Sequence, residues 1–108
     1  MGMDIYGNGS DEEVGEVFRL NGWTWRRLAE YMCTVAPKVT SECREWYSND
    51  GDGLSEERAK QLAKILVKEL ASGRTARYIR KQEEPTFDRK TVKDFVAFLQ
   101  HCGGFRIC

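Results

Sequence analysis

At 108 residues, with 41% apolar and 11% aromatic content, the chain suits one folded domain spanning 1–108 and is too apolar for disorder throughout. Seventeen basic residues balance seventeen acidic ones, which excludes a global field drawing it to nucleic acid or a membrane surface. No run approaches the roughly 18 consecutive apolar residues of a membrane-spanning helix.

The opening, "MGMDIYGNGSDEE", has no apolar stretch behind a basic one, and Tyr6 stands where a myristoylation signal wants Ser or Thr. A cytoplasmic protein is the expectation, with no membrane partner. Residues 3–6, "MDIY", read as a short strand ended by the turn-forming "GNGS". Residues 8–16 carry Asp11, Glu12, Glu13 and Glu16 among glycines and read as an exposed, mobile acidic loop.

The first helix is predicted over 24–36. Trp25, Leu28, Ala29, Met32 and Ala36 repeat at i, i+3, i+4, i+7 and i+11, the spacing of one helical face. Thr24 is its expected N-cap, and Pro37 closes it. Trp23 lies about 200° away from Trp25 around a helix, so the two cannot share a face. Trp23 beside Arg26 and Arg27 is therefore a candidate contact residue, with Trp46 as a second exposed tryptophan. The competing reading is that Trp23 packs over the start of the helix. Residues 41–47, "SECREWY", are expected to add two helical turns.

"SNDGDGLSEE" follows, and it invites comparison with a calcium loop. An EF-hand places oxygen ligands at positions 1, 3, 5, 7, 9 and 12 around a glycine at 6. With Gly53 at 6, Asp50, Asp52 and Glu56 fall on ligand positions, with Asn49 nearby. Ser48 then replaces the first Asp, and Ala59 replaces the bidentate Glu at 12. The stretch reads better as a turn in which Ser55 caps the next helix, with Glu56 and Glu57 favourable in its first turn. Weak calcium binding through Asp50, Asp52 and Glu56 is the alternative.

That next helix is predicted over 55–72, with Ala59, Leu62, Ala63, Leu66 and Leu70 facing inward and Gly73 ending it. "RTARYIRK" then places Arg74, Arg77 and Lys81 at i, i+3 and i+7, a cationic edge suited to acidic protein or phosphate. As a solvated face it needs no partner, though the acidic loop at 11–16 could complement it within the chain. Glu83, Glu84 and Pro85 break this segment. The last helix is predicted over 90–102 on Val92, Phe95, Val96, Leu99 and Cys102, with Gly103 and Gly104 stopping it. Residues 105–108, "FRIC", alternate like a strand and are expected to pair with 3–6. The fold class is then α+β, helix-dominated, with three main helices and a minimal terminal sheet.

Little here speaks for catalysis. His101 is the single histidine and points about 100° away from its neighbour Cys102 on a helix, so the two cannot pair. No nucleophile elbow, phosphate loop, dinucleotide fingerprint or zinc-protease motif occurs. The four cysteines contain no C-x-x-C pair and read as packed thiols, so no cofactor or metal is expected.

Several stretches resemble a group of short uncharacterised proteins of bacteria and their phages: "MGMDIYG", "GEVFRLNGWTWRRLAEY", "NDGDGLS", "LASGRTARYIR" and "FVAFLQHCGGF". Together they cover about two thirds of the chain. The resemblance implies a self-contained module in a bacterial or phage setting and carries no substrate or catalytic residue. The reading that remains is a non-enzymatic module acting through a protein partner or self-association. Trp23, Arg26, Arg27, Trp46, Arg74, Arg77 and Lys81 are its candidate contacts, and nucleic-acid binding through 74–81 is the lesser reading.

Overall fold

The computed structural model describes residues 2–48, 50–84 and 86–108. Asn49 and Pro85, invoked above, lie outside them. The fold is α+β: among the described residues, five helices pack on one four-stranded antiparallel sheet. Strand β1 (Gly2–Gly7) pairs with β2 (Val17–Asn21), setting Met3 opposite Leu20 and Ile5 opposite Phe18. The other edge of β1 takes β4 (Phe105–Ile107), with Ile5 opposite Ile107, as the alternation of the two chain ends suggested. β3 (Gly53–Leu54) adds to the far side of β4, giving the order β2-β1-β4-β3.

β2 falls where no element was expected. Its signal is a period of two in "VFRLN", where Phe18 and Leu20 pack on the core and Arg19 stands outside beside Asp4. The residues before it are pinned rather than mobile. Helix α5 (Arg89–His101) ends there, and its last carbonyls need donors. Asp11 N–H donates to His101 O at 3.1 Å, and Gly9 N–H to Cys102 O at 3.0 Å. Gly15 lies so close that an added Cβ would stand 2.1 Å from His101 O, so no other residue fits without moving backbone. The acidic loop thus docks on the end of α5. Asp11 and Glu12 both face His101, and among the described residues no ion pair joins the loop to 74–81.

Helix α1 (Gly22–Val35) starts two residues earlier than expected because Asn21, not Thr24, is its cap: the Asn21 side chain accepts from Thr24 N–H at 2.8 Å. Trp25, Leu28, Ala29, Met32 and Ala36 are all buried, as their spacing requires. Pro37 opens a short helix, α2 (Pro37–Thr40), where its missing N–H costs nothing. Residues 41–47 form turns instead of the expected helix. The N–H groups of Arg44 and Glu45 donate to the Asp52 carboxylate at 2.9 and 3.0 Å, which removes them from any helical ladder.

Trp46 is consequently inside, not on the surface as expected. It is 5% exposed, its indole N–H donates to Thr40 O at 3.3 Å, and its own carbonyl accepts from Trp25 Nε1 at 2.6 Å. The rings of Trp46, Trp25, Phe95 and Phe18 follow one another at centroid spacings of 5.8, 5.6 and 4.9 Å, joining α1, α5 and the sheet.

Ser55 caps helix α3 (Glu56–Ala71) as predicted, accepting from Arg58 N–H at 3.3 Å. Glu42 reinforces that end by accepting from Ser55 N–H, a carboxylate placed where the helix dipole favours it. The basic segment is a helix of its own, α4 (Arg74–Lys81), separated from α3 by Gly73 at φ 81°. It is anchored through buried Thr75, whose Oγ1 lies 2.6 Å from Tyr31 Oη. Asp88 caps α5 through Thr91 N–H at 2.9 Å. Among the described residues, no helix is long and apolar enough to cross a membrane.

Candidate interaction surface

The Asn21 cap fixes the rotation of α1, and that rotation decides which tryptophan faces water. Trp25 turns into the core, leaving Trp23 55% exposed. Arg27, one turn on, lays its guanidinium over the Trp23 ring at 4.6 Å and holds Glu30 Oε2 at 3.2 Å. Arg26 approaches Glu30 Oε1 at 3.8 Å and covers the ring of Tyr47 at 5.1 Å. Tyr47, 51% exposed, was missed in the sequence. Tyr47 follows buried Trp46 in a turn, and its ring lies on the solvent side under Arg26. Two exposed rings, two guanidiniums and one carboxylate therefore form a single cluster.

Arg74, Arg77 and Lys81 project from the solvent side of α4, where all three are exposed. Arg74 Nη1 pairs with Glu69 Oε2 at 3.2 Å, and that carboxylate is only 12% exposed. Among the described residues, Arg77 and Lys81 form no ion pair. Beneath them the Tyr31 and Tyr78 rings pack at a tilt of 50° with centroids 4.7 Å apart, and Phe87 lies 5.7 Å from Tyr31. Burial raises the Tyr31 phenol above its ordinary value despite the Thr75 bond, so it remains a neutral hydrogen-bonding group at physiological pH.

The two sequence patches meet at Lys81. A cleft of about 340 Å³ sets Arg74, Arg77 and Lys81 around Tyr31, Val35, Tyr78 and Glu69. A second, of about 320 Å³, sets Lys81 and Arg27 against Gln82, Glu83 and Glu84. A path of cations thus runs from Arg74 along α4 to Arg27 and the Trp23 ring. Residues about fifty positions apart in sequence belong to one face because Tyr31 and Thr75 dock α4 on α1.

The calcium candidates have other work. Burial pushes the Asp52 carboxyl up, but three backbone N–H bonds outweigh it and hold it below the usual carboxylate range. Oδ2 accepts from Arg44 and Glu45, and Oδ1 accepts from Gly53 N–H at 2.9 Å. Glu56 pairs with Lys60 Nζ at 3.0 Å, while Asp50 is exposed. Among the described residues, no three His, Cys, Asp or Glu side chains gather as metal ligands.

His101 faces carboxylates: its Nδ1 lies 2.9 Å from Asp11 Oδ1 and its Nε2 lies 3.9 Å from Glu12 Oε2. Burial pushes the thiols of Cys43 and Cys102 up to about 12 and about 11, which works against nucleophilic attack at neutral pH. No family model, curated protein or solved structure matches the chain.

Proposed function

We propose that the protein is a non-enzymatic interaction module whose partner is a protein presenting an exposed acidic segment. The observation that carries this reading is the continuous face running from Arg74, Arg77 and Lys81 to Arg27 and the exposed Trp23 ring. Tryptophan, tyrosine and arginine are the side chains that most often dominate binding energy at protein interfaces. Arg77 and Lys81 lack an ionic partner among the described residues, so an incoming carboxylate would displace none of the chain's own. Trp23 and Tyr47, already held flat under arginines, would lose little freedom on being covered. On the resemblance noted above, the setting would be a bacterial or phage-infected cytoplasm.

Isotope-labelled protein titrated with a synthetic peptide of glutamates around one phenylalanine tests the reading, with oligothymidylate in parallel. The peptide is expected to shift the Trp23 indole signal and the Arg77 and Lys81 amides. That response should vanish in the Arg77→Glu, Lys81→Glu double variant. A response to the oligonucleotide alone, falling steeply with salt, would reassign the face to nucleic acid. Silence at this face with both probes would overturn the proposal.

A further inference from the structure

Among the described residues, four large apolar side chains are exposed: Val14, Trp23, Tyr47 and Val67. The two rings belong to the face above, and the two valines are unexplained. Val67 opens a groove of about 310 Å³ between α3 and α5, floored by Leu70, Ala71 and Val96 and flanked by Arg89 and Lys93. Neither cation forms an ion pair among the described residues.

Val14 has the opposite setting. It sits in a tight 3-10 turn, Glu13–Gly15, 44% exposed and surrounded in sequence by Glu12, Glu13 and Glu16. One molecule therefore carries an apolar groove with a cationic rim and an apolar knob with an acidic collar. The two lie toward opposite ends of α5. Gly15 is pressed against the His101 carbonyl at the C-terminal end, whereas Arg89 and Lys93 occupy the first turns. At about 1.5 Å per residue, His101 is roughly 12 Å along the helix from Lys93 and roughly 18 Å from Arg89. The knob is fixed by Gly15 at the end of α5 away from the cationic rim of its own groove.

We propose that the groove takes the knob of a second copy of this chain: Val14 packs against Val67 and Leu70 while Glu13 and Glu16 face Arg89 and Lys93. The contact uses two different patches and is head-to-tail, so it builds chains or rings rather than a closed symmetric pair. A single valine knob buries little area, so the association is weak and depends on concentration and salt. The groove shares no lining residue with the two clefts around Lys81.

Sedimentation velocity over a concentration series tests it. At low salt the average mass is expected to climb above the 12.4 kDa monomer as concentration rises, and to return to monomer at high salt. Two charge-reversed proteins then separate knob from groove. Glu13→Lys with Glu16→Lys reverses the collar while sparing Asp11 and Glu12, which face His101. Arg89→Glu with Lys93→Glu reverses the rim, and a glutamate at the start of α5 suits the helix dipole, so folding is retained. Each variant alone should stay monomeric. Their equimolar mixture should associate again, because reversed knob meets reversed groove. Wild-type protein monomeric at every concentration would overturn the proposal and leave the groove to an acidic segment of another protein. Variants that still associate alone, or a mixture that remains monomeric, would overturn it as well.

Discussion

Trp23 and Trp46 invert what their sequence neighbourhoods suggest about exposure, and their energetic weights should differ accordingly. Removing Trp46 empties a site between Trp25 and Phe105 and takes one of two donors from the carbonyl of Thr40, which keeps the Cys43 N–H at 3.2 Å. Trp46→Ala is expected to cost ~3–5 kcal/mol. Trp23→Ala removes an exposed ring and one cation–π contact, which costs ~1 kcal/mol or less. Urea denaturation of the two variants checks the contrast, and equal losses would contradict the assignment of inside and outside. Trp25 was legible because a helical stripe fixes its direction. Trp46 was not, since its burial depends on Asp52, six residues further on, capturing the amides of Arg44 and Glu45. No periodicity encodes a bond of that kind.

The stretch from Ser48 to Glu57 shows the same logic at the level of elements. It is a connector that becomes a strand: Gly53–Leu54 pairs with β4, and Gly51 N–H donates to Ile107 O at 2.7 Å. Asp52 holds the connector by accepting three backbone N–H bonds, so Asp52→Ala should destabilise the protein by ~2 kcal/mol. The same variant should loosen residues 44–53, read as faster amide exchange there. Millimolar calcium is expected to leave the thermal midpoint of the wild type unchanged, because binding would compete with those bonds; a rise reversed by EDTA would refute this.

Helices α3 and α5 were legible in position and face because each carries an unbroken stripe and a capping side chain. The end of α3 at Gly73 was equally plain, since Gly73 adopts a left-handed φ that other residues rarely take, but the helix over 74–81 adds to the three main helices expected. A two-residue strand such as β3 exists only through its partner and leaves no pattern of its own. β2 did leave one, the alternation of Phe18 and Leu20, but glycines and acids on its N-terminal side masked it.

Across the whole molecule, neutrality conceals separation. Residues 64–93 hold nine of the seventeen cations and four of the seventeen acids, so the rest of the chain is acidic by the same margin. Composition alone could exclude a global field but could not show this uneven distribution along the chain. The buried thiols contribute to a loss of stability at alkaline pH. Burial raises Cys43 from 9.0 to about 12 and Cys102 from 9.0 to about 11. The unfolded chain releases these protons first, so the stability they contribute is complete below pH 9.0 and is lost as pH rises towards 12. Urea midpoints measured from pH 7 upward should therefore hold steady and then fall above about pH 9. Replacing both cysteines with alanine should lessen that fall and leave the part carried by Cys33, Tyr31, Tyr47 and Tyr78, which burial also raises, even though the variant starts from a lower midpoint.

The order β2-β1-β4-β3 places the first and last strands side by side at the centre of the sheet. During synthesis, β1 and β2 leave the ribosome early and can form their hairpin, but the second edge of β1 must wait for residues 105–107 to emerge. Until then an uncovered strand edge of Ile5 and Tyr6 is available to any other nascent chain. Such a distant closure also slows folding, because the intervening chain must be looped before the pairing rewards it. Crowding of unfinished chains would thus act on that edge of β1, the one that β4 covers in the folded protein.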